Sequence, residues 1–173
     1  MSDSVSPFSS AGDRHFDGLA EKFAGSLYGG PRGALRLALL DRLLPEMLHL
    51  DDQPVLDVGG GLGQLSGWFA RRGHAVTLVE PAIDMLDHAR RELAGEPITF
   101  VEASLQTLSQ RVEGPWSLIA CHAVLEWLHD PRAALATLAG QLGSGWAAVA
   151  DGVQPGCAAP VQRGQGQPGE GAG

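Results

Sequence analysis

Val55-Leu56-Asp57-Val58-Gly59-Gly60-Gly61-Leu62-Gly63-Gln64 is a short apolar run that enters a cluster of glycines, and an amphipathic segment follows it. The pattern reads as a buried strand, a tight loop and the start of a helix, the place where an α/β sheet holds an adenosine-containing ligand. Glycines in such a loop let backbone N–H groups approach the ligand with no Cβ in the way. A second apolar run, Thr77-Leu78-Val79-Glu80-Pro81, ends in an acid about twenty positions on, where a carboxylate accepts hydrogen bonds from both hydroxyls of a ribose.

Glycine spacing narrows the ligand. A dinucleotide fingerprint requires G-x-G-x-x-G, whose last position falls on Gln64 when counted from Gly59 and on Ser66 when counted from Gly61. That spacing disfavours a nicotinamide oxidoreductase. The spacing present is G-x-G-x-G over Gly59, Gly61 and Gly63, with Asp57 just before it. It resembles the first motif of the class I S-adenosylmethionine (SAM)-dependent methyltransferases. The resemblance implies SAM as cofactor, with Asp57, Gly59, Gly60, Gly61, Gly63 and Glu80 around it.

The 173 residues allow one domain with a substantial core. No apolar run approaches the length of a membrane span, and Met-Ser-Asp-Ser-Val-Ser-Pro at the N-terminus lacks the basic and apolar regions of a signal peptide, so a cytoplasmic protein is expected. Two cysteines, Cys121 and Cys157, are too few for a metal cluster and are expected as free thiols. The formal charge of −8 disfavours broad binding to nucleic acid, whose phosphates call for a basic face.

Residues 1–12 are Ser-rich and expected as a mobile tail, with the methyltransferase domain over 13–145. Within it, N-terminal helices occupy 13–50 and the Rossmann-like core 51–145. Phe16, Leu19, Ala20, Phe23 and Leu27 recur at helical spacing up to Gly29-Gly30-Pro31, and a second helix is expected over Leu35 to Leu44, ended or kinked by Pro45. Strands are expected at Pro54 to Val58, Ala75 to Val79, Ile98 to Val101 and Ser117 to Cys121. Helices are expected at Gly63 to Arg72, Ile83 to Leu93, Leu105 to Val112 and Pro131 to Leu142. Their alternation implies a doubly wound, mostly parallel sheet covered on both faces. The composition changes after Gly143, and 146–173 reads as a disordered low-complexity tail, so the sheet is expected to stop at four strands with its C-terminal strands missing. A natural flexible tail is one reading of that break; a shifted reading frame across Ala147 to Cys157 is the expectation set beside it, and a coding sequence without an apolar-patterned continuation in the +1 frame would refute it.

Two further segments, Asp13-Arg14-His15-Phe16-Asp17-Gly18-Leu19-Ala20-Glu21-Lys22-Phe23 and Cys121-His122-Ala123-Val124-Leu125-Glu126-Trp127, resemble the bacterial tRNA 5-carboxymethoxyuridine methyltransferases from about Asp13 to Gly145. That family methylates the carboxylate of a modified wobble uridine with SAM, which implies tRNA as substrate and a role in tRNA modification. The resemblance implies that Arg36 contacts the methionine carboxylate, that Gly59 and Gly60 give backbone contacts and that Glu80 holds the ribose. It also implies that Leu105 and Gln106 lie beside the adenine and that His122 stands over the cofactor's methionine end or the reaction centre, as a cofactor-binding residue and the candidate catalytic one. Asp13 to Phe23 would form a lid near Tyr28. Without the resemblance, Arg36 and Gln106 are equally readable as solvated side chains and His122 as structural.

A carboxylate is ionised at neutral pH and needs no general base, so alignment and desolvation are expected to carry catalysis. The scattered His15, His49, His74, His88 and His129 lack ligand spacing, and no metal is expected. Two alternatives stand beside the tRNA reading: methyl transfer to a small molecule, and a catalytically inert SAM-binding fragment, which twelve Lys plus Arg against twenty Asp plus Glu favour.

Overall fold

Apolar residues alternate so regularly between the two sides of the central strands that the sheet has two cores. The computed structural model describes Gly18, residues 30–47 and residues 53–151. In chain order these form α1 (Pro31–Met47), β1 (Val55–Val58), α2 (Gln64–Ala70), β2 (Val76–Glu80), α3 (Ile83–Glu92) and β3 (Ile98–Glu102). A 3-10 turn (Leu105–Thr107) leads into α4 (Leu108–Arg111), then come β4 (Trp116–His122), a second 3-10 turn (Leu125–Trp127), α5 (Pro131–Gln141) and β5 (Leu142–Asp151). The helix expected over Phe16 to Leu27 lies, Gly18 apart, outside the described residues, as do Tyr28, Cys157 and the tails 1–12 and 152–173.

The strands pair in parallel in the order β3-β2-β1-β4-β5. The chain lays β2 and β3 to one side of β1, then crosses over to place β4 and β5 on the other. That reversal opens a crevice past the carboxyl ends of β1 and β4, where α/β sheets hold their ligands. Val55, Val76, Leu118 and Ala120 face one side and pack with Leu44, Leu65, Trp68 and Phe69 from α1 and α2. Leu56, Val58, Val79, Ile119 and Cys121 face the other, against Leu105, Leu108, Val112, Ala134 and Leu138. Period-two alternation of this kind is what a sheet covered on both faces demands.

The fifth strand corrects the four-stranded expectation. Leu118 to His122 of β4 pair with Ala147 to Asp151, after a register shift near Trp116, so the boundary placed at Trp146 falls inside a strand. Gly143 and Gly145 dilute the local strand signal, and Trp146-Ala147-Ala148-Val149-Ala150, apolar throughout, carries no period-two alternation. The open edge of β4 supplies the ladder that the local sequence does not announce.

Helix α1 begins earlier than expected, with Pro31 at its first position, where no partner for an N–H is needed, and the Gly30 carbonyl accepting from Gly33 and Ala34. It includes Pro45 and ends two residues beyond it at Met47, near the stop that proline is expected to impose. A cluster ties α1 to α2: Trp68 Nε1 donates to Asp41 Oδ1 at 3.1 Å, and Arg72 pairs with the same carboxylate while its guanidinium lies 3.8 Å from the Trp68 ring centre. The ion pair is exposed and adds little stability, but it fixes the helix that carries Arg36.

Phe69 is fully buried, with edge-on contacts to the Trp68 ring at 5.0 Å and the His74 ring at 5.6 Å. Phe69→Ala is expected to cost about 3–5 kcal/mol in urea unfolding. A loss below about 1 kcal/mol would mean that this core collapses around the cavity.

Candidate functional site

The glycine loop leaves β1 with its backbone tied to the neighbouring strand, since Gly59 and Gly60 both donate to the Val79 carbonyl, at 2.7 and 3.2 Å. Gly59, Gly61 and Gly63 all take positive φ, at 70°, 55° and 83°, a region that side chains disfavour. The reasons for glycine differ along the loop. A Cβ on Gly59 would collide with the side chain of Val124, one on Gly60 would lie 2.7 Å from Leu78 Cγ, and one on Gly63 would lie 2.6 Å from Leu93 Cδ1. Gly63 thus serves the packing of α2 against α3. Around the Cβ position of Gly61 nothing lies within 4 Å, so this is the loop glycine that faces open space.

Glu80 ends β2 beside the loop and is 5% exposed. Its Oε2 accepts from Gly61 N at 2.9 Å and its Oε1 from Ala82 N at 3.0 Å. One carboxylate therefore braces two turns, the glycine loop after β1 and the entry to α3. The sequence indicated an acid here but not this bracing. Ala103 N adds a long bond of 3.4 Å to the Glu80 carbonyl, which brings the end of β3 alongside.

Asp57 lies beneath the loop on the α2 side, 2% exposed, and accepts from Ser66 Oγ at 2.6 Å. Burial pushes its pKa up from 3.8 to about 6, and the side-chain and backbone hydrogen bonds of Ser66 act in the opposite direction. Ser66 was not singled out from sequence, where a lone serine in an apolar helix carries no signal of its own. Cys121 is buried behind the sheet, and burial followed by the charges of Asp57 and Glu126 pushes its thiol up to about 12, which leaves it unreactive.

Arg36, Asp57, Gly59, Gly60 and His122 line one narrow, open cleft, together with Gly33, Leu37, Leu40, Gln64 and Leu65. These residues come from α1, the β1 loop, α2 and the end of β4. A guanidinium and a carboxylate in one cleft complement a zwitterion. Beyond His122 the chain turns sharply at Ala123, whose φ of 57° is left-handed without being glycine, a strained conformation of the kind that clusters at binding sites. The turn places Val124 against Gly59, a contact that was not foreseen. Leu105 and Gln106 line a separate groove with Leu128, His129, Asp130, Ala133, Ala134 and Thr137. Among the described residues no three His, Cys, Asp or Glu side chains gather as a metal site, and no helix is long and apolar enough to cross a membrane.

A methyltransferase-domain family profile matches residues 55–145. The chain is 41% identical over 134 residues to the tRNA 5-carboxymethoxyuridine methyltransferase of Escherichia coli strain K12, covering 73% of this chain and 51% of that protein. It is 35% identical over 100 residues to a ubiquinone biosynthesis O-methyltransferase of Paracidovorax citrulli, covering 56% of this chain and 40% of that one. The chain thus spans about half the length of the curated relatives it matches. Among solved structures, magnesium protoporphyrin IX methyltransferase from Synechocystis PCC 6803 with bound SAM superposes with a TM-score of 0.61 at 21% identity, covering 73% of this chain and 68% of that one. A SAM-dependent methyltransferase from Mesorhizobium loti gives 0.57 at 24% identity, over 67% and 54%. These likenesses establish a shared fold.

Two outcomes test the site as built. Gly60→Ala is expected to destabilise the fold by about 1–3 kcal/mol in chemical denaturation, because a methyl group meets Leu78. An unchanged midpoint would mean that the loop shifts freely. Asp57 binds its proton more tightly folded than unfolded, so its contribution favours the fold below about pH 4 and is lost as pH rises through about 6. Asp57→Asn should therefore gain on the wild type by up to about 3 kcal/mol between pH 4 and 7. A difference independent of pH would contradict this picture of the carboxyl.

Proposed function

The chain belongs to the methyltransferase-domain family, and on that premise we propose that it binds SAM at the glycine loop and methylates the carboxylate of 5-carboxymethoxyuridine in tRNA. The observation that carries the cofactor reading is the Glu80 brace: a carboxylate held by Gly61 and Ala82 beside a loop glycine that faces open space. That cradle fits an adenosyl group, and the Arg36 and Asp57 cleft next to it fits the amino-acid end.

When bound, the cofactor supplies a methyl group on a sulfonium, which is already electrophilic. The chain's residues bind and align. Glu80 takes the ribose hydroxyls with an orientation set in advance by two backbone donors. Arg36 takes the methionine carboxylate and Asp57 the ammonium, while Gly59 and Gly60 keep the loop low enough for close approach. Leu105 and Gln106 take the adenine. His122, at the carboxyl end of β4, orients the acceptor carboxylate, which is ionised at neutral pH and needs no general base. Catalysis in this reading comes from alignment and from exclusion of water.

The tRNA acceptor is supported by the relative from Escherichia coli and by the two motifs at Asp13 to Phe23 and Cys121 to Trp127. The net charge of −8 favours a second reading, a small-molecule acceptor of the kind named for the ubiquinone-pathway relative.

The deciding experiment incubates the purified chain with methyl-labelled SAM and, in parallel, tRNA carrying 5-carboxymethoxyuridine or a cell extract of small molecules. Label on tRNA that mild alkali releases as methanol, as an ester requires, supports the proposal. Label in small molecules alone supports the second reading, and SAM binding without any transfer refutes activity of this chain. Glu80→Ala is expected to weaken SAM binding roughly 10–100-fold by calorimetry. His122→Ala should lower kcat while leaving SAM affinity near wild type, and a loss of SAM affinity with kcat unchanged at saturating SAM would place His122 in cofactor binding alone.

A further inference from the structure

Resting on the reading of the cleft as a SAM site, we propose that Ser66 is a positioning residue that keeps Asp57 charged and oriented to receive the ammonium group of the ligand's amino-acid end. Ser66 is the third residue of α2 and fully buried. Its hydroxyl donates to Asp57 Oδ2 at 2.6 Å, short even for a hydroxyl on a carboxylate, and its backbone N–H also bonds the carboxyl. The pair closes the strand-to-helix step from beneath. A Cβ on Gly60 would lie 3.1 Å from the same Oδ2, so the carboxylate directly underlies the loop backbone.

The consequence is chemical as well as steric. Burial favours the neutral carboxyl, which cannot balance an ammonium, and the bonds from Ser66 favour the charged form. The other charged or titratable groups near it come from three elements. Arg36 of α1 and His122 of β4 line the same cleft, Cys121 of β4 lies close enough for the Asp57 charge to raise its thiol, and Glu80 of β2 is bonded to Gly61 and Ala82. Ser66 is the neighbour whose hydrogen bonds hold the carboxyl toward ionisation. The range of pH over which the cleft accepts a cationic ligand is therefore set from a residue that does not line it.

The test titrates the Asp57 side-chain carboxyl by carbon NMR, and SAM affinity by calorimetry, across pH 5–8.5 in wild type, Ser66→Ala and Ser66→Thr. Ser66→Ala should move the Asp57 midpoint up by roughly one pH unit, so that SAM binds about fivefold more weakly at pH 6 and within about twofold of wild type at pH 8. Ser66→Thr, which keeps the hydroxyl, should titrate like wild type. A Ser66→Ala midpoint equal to wild type, or an affinity loss that alkaline pH does not restore, would overturn the proposal and leave Ser66 merely structural. If Ser66→Ala does not fold, Ser66→Cys is read in its place, its thiol being a weak donor of similar size, with the same direction expected. Wild type that binds no SAM at any pH would overturn the functional reading instead, and the NMR midpoint alone would then decide whether Ser66 governs the charge of Asp57.

Discussion

Two backbone N–H groups on one buried carboxylate hold the site together. Glu80 accepts from Gly61 in the loop after β1 and from Ala82 at the entry to α3, so the shapes of two turns are fixed by one side chain. Charge-assisted bonds of this kind are about twice as strong as neutral ones. They also explain why a nearly fully buried glutamate is tolerated at the end of β2. The loop in turn needs glycine for separate reasons at each position, with Gly59 yielding to Val124, Gly60 to Leu78 and Gly63 to Leu93.

The topology brings the rest into register. The switch in strand order between β1 and β4, which run parallel, puts the glycine loop and His122 side by side at one edge of the crevice. Helix α1, tied to α2 through Asp41, Trp68 and Arg72, adds Arg36 from the third side. The cleft is thereby bipolar, with a guanidinium and a buried carboxyl, while the separate groove at Leu105 and Gln106 is lined by the apolar Leu105, Leu128, Ala133 and Ala134.

What the sequence revealed depended on how local the cause was. The glycine loop, the acid at Glu80 and the alternation of strands and helices were legible, because strand periodicity and positive-φ positions leave their mark within a few residues. The fifth strand was not, since Gly143, Gly145 and a run of alanines become a strand only against the open edge of β4. Nor were the partnerships of Ser66 with Asp57 and of Val124 with Gly59, which arise when segments distant in sequence close on one another. Pro45 marked the end of its helix to within two residues, since α1 stops at Met47.

The most direct test of the central claim is a titration of the backbone amides with S-adenosylhomocysteine, followed by heteronuclear NMR. If the braced loop is the cofactor site, the largest shifts will fall on Gly59, Gly60 and Gly61, with Ala82 and the turn from His122 to Val124 moving alongside them. Shifts confined to other surfaces, or none at saturating ligand, would contradict the assignment of this loop as the site that holds the cofactor.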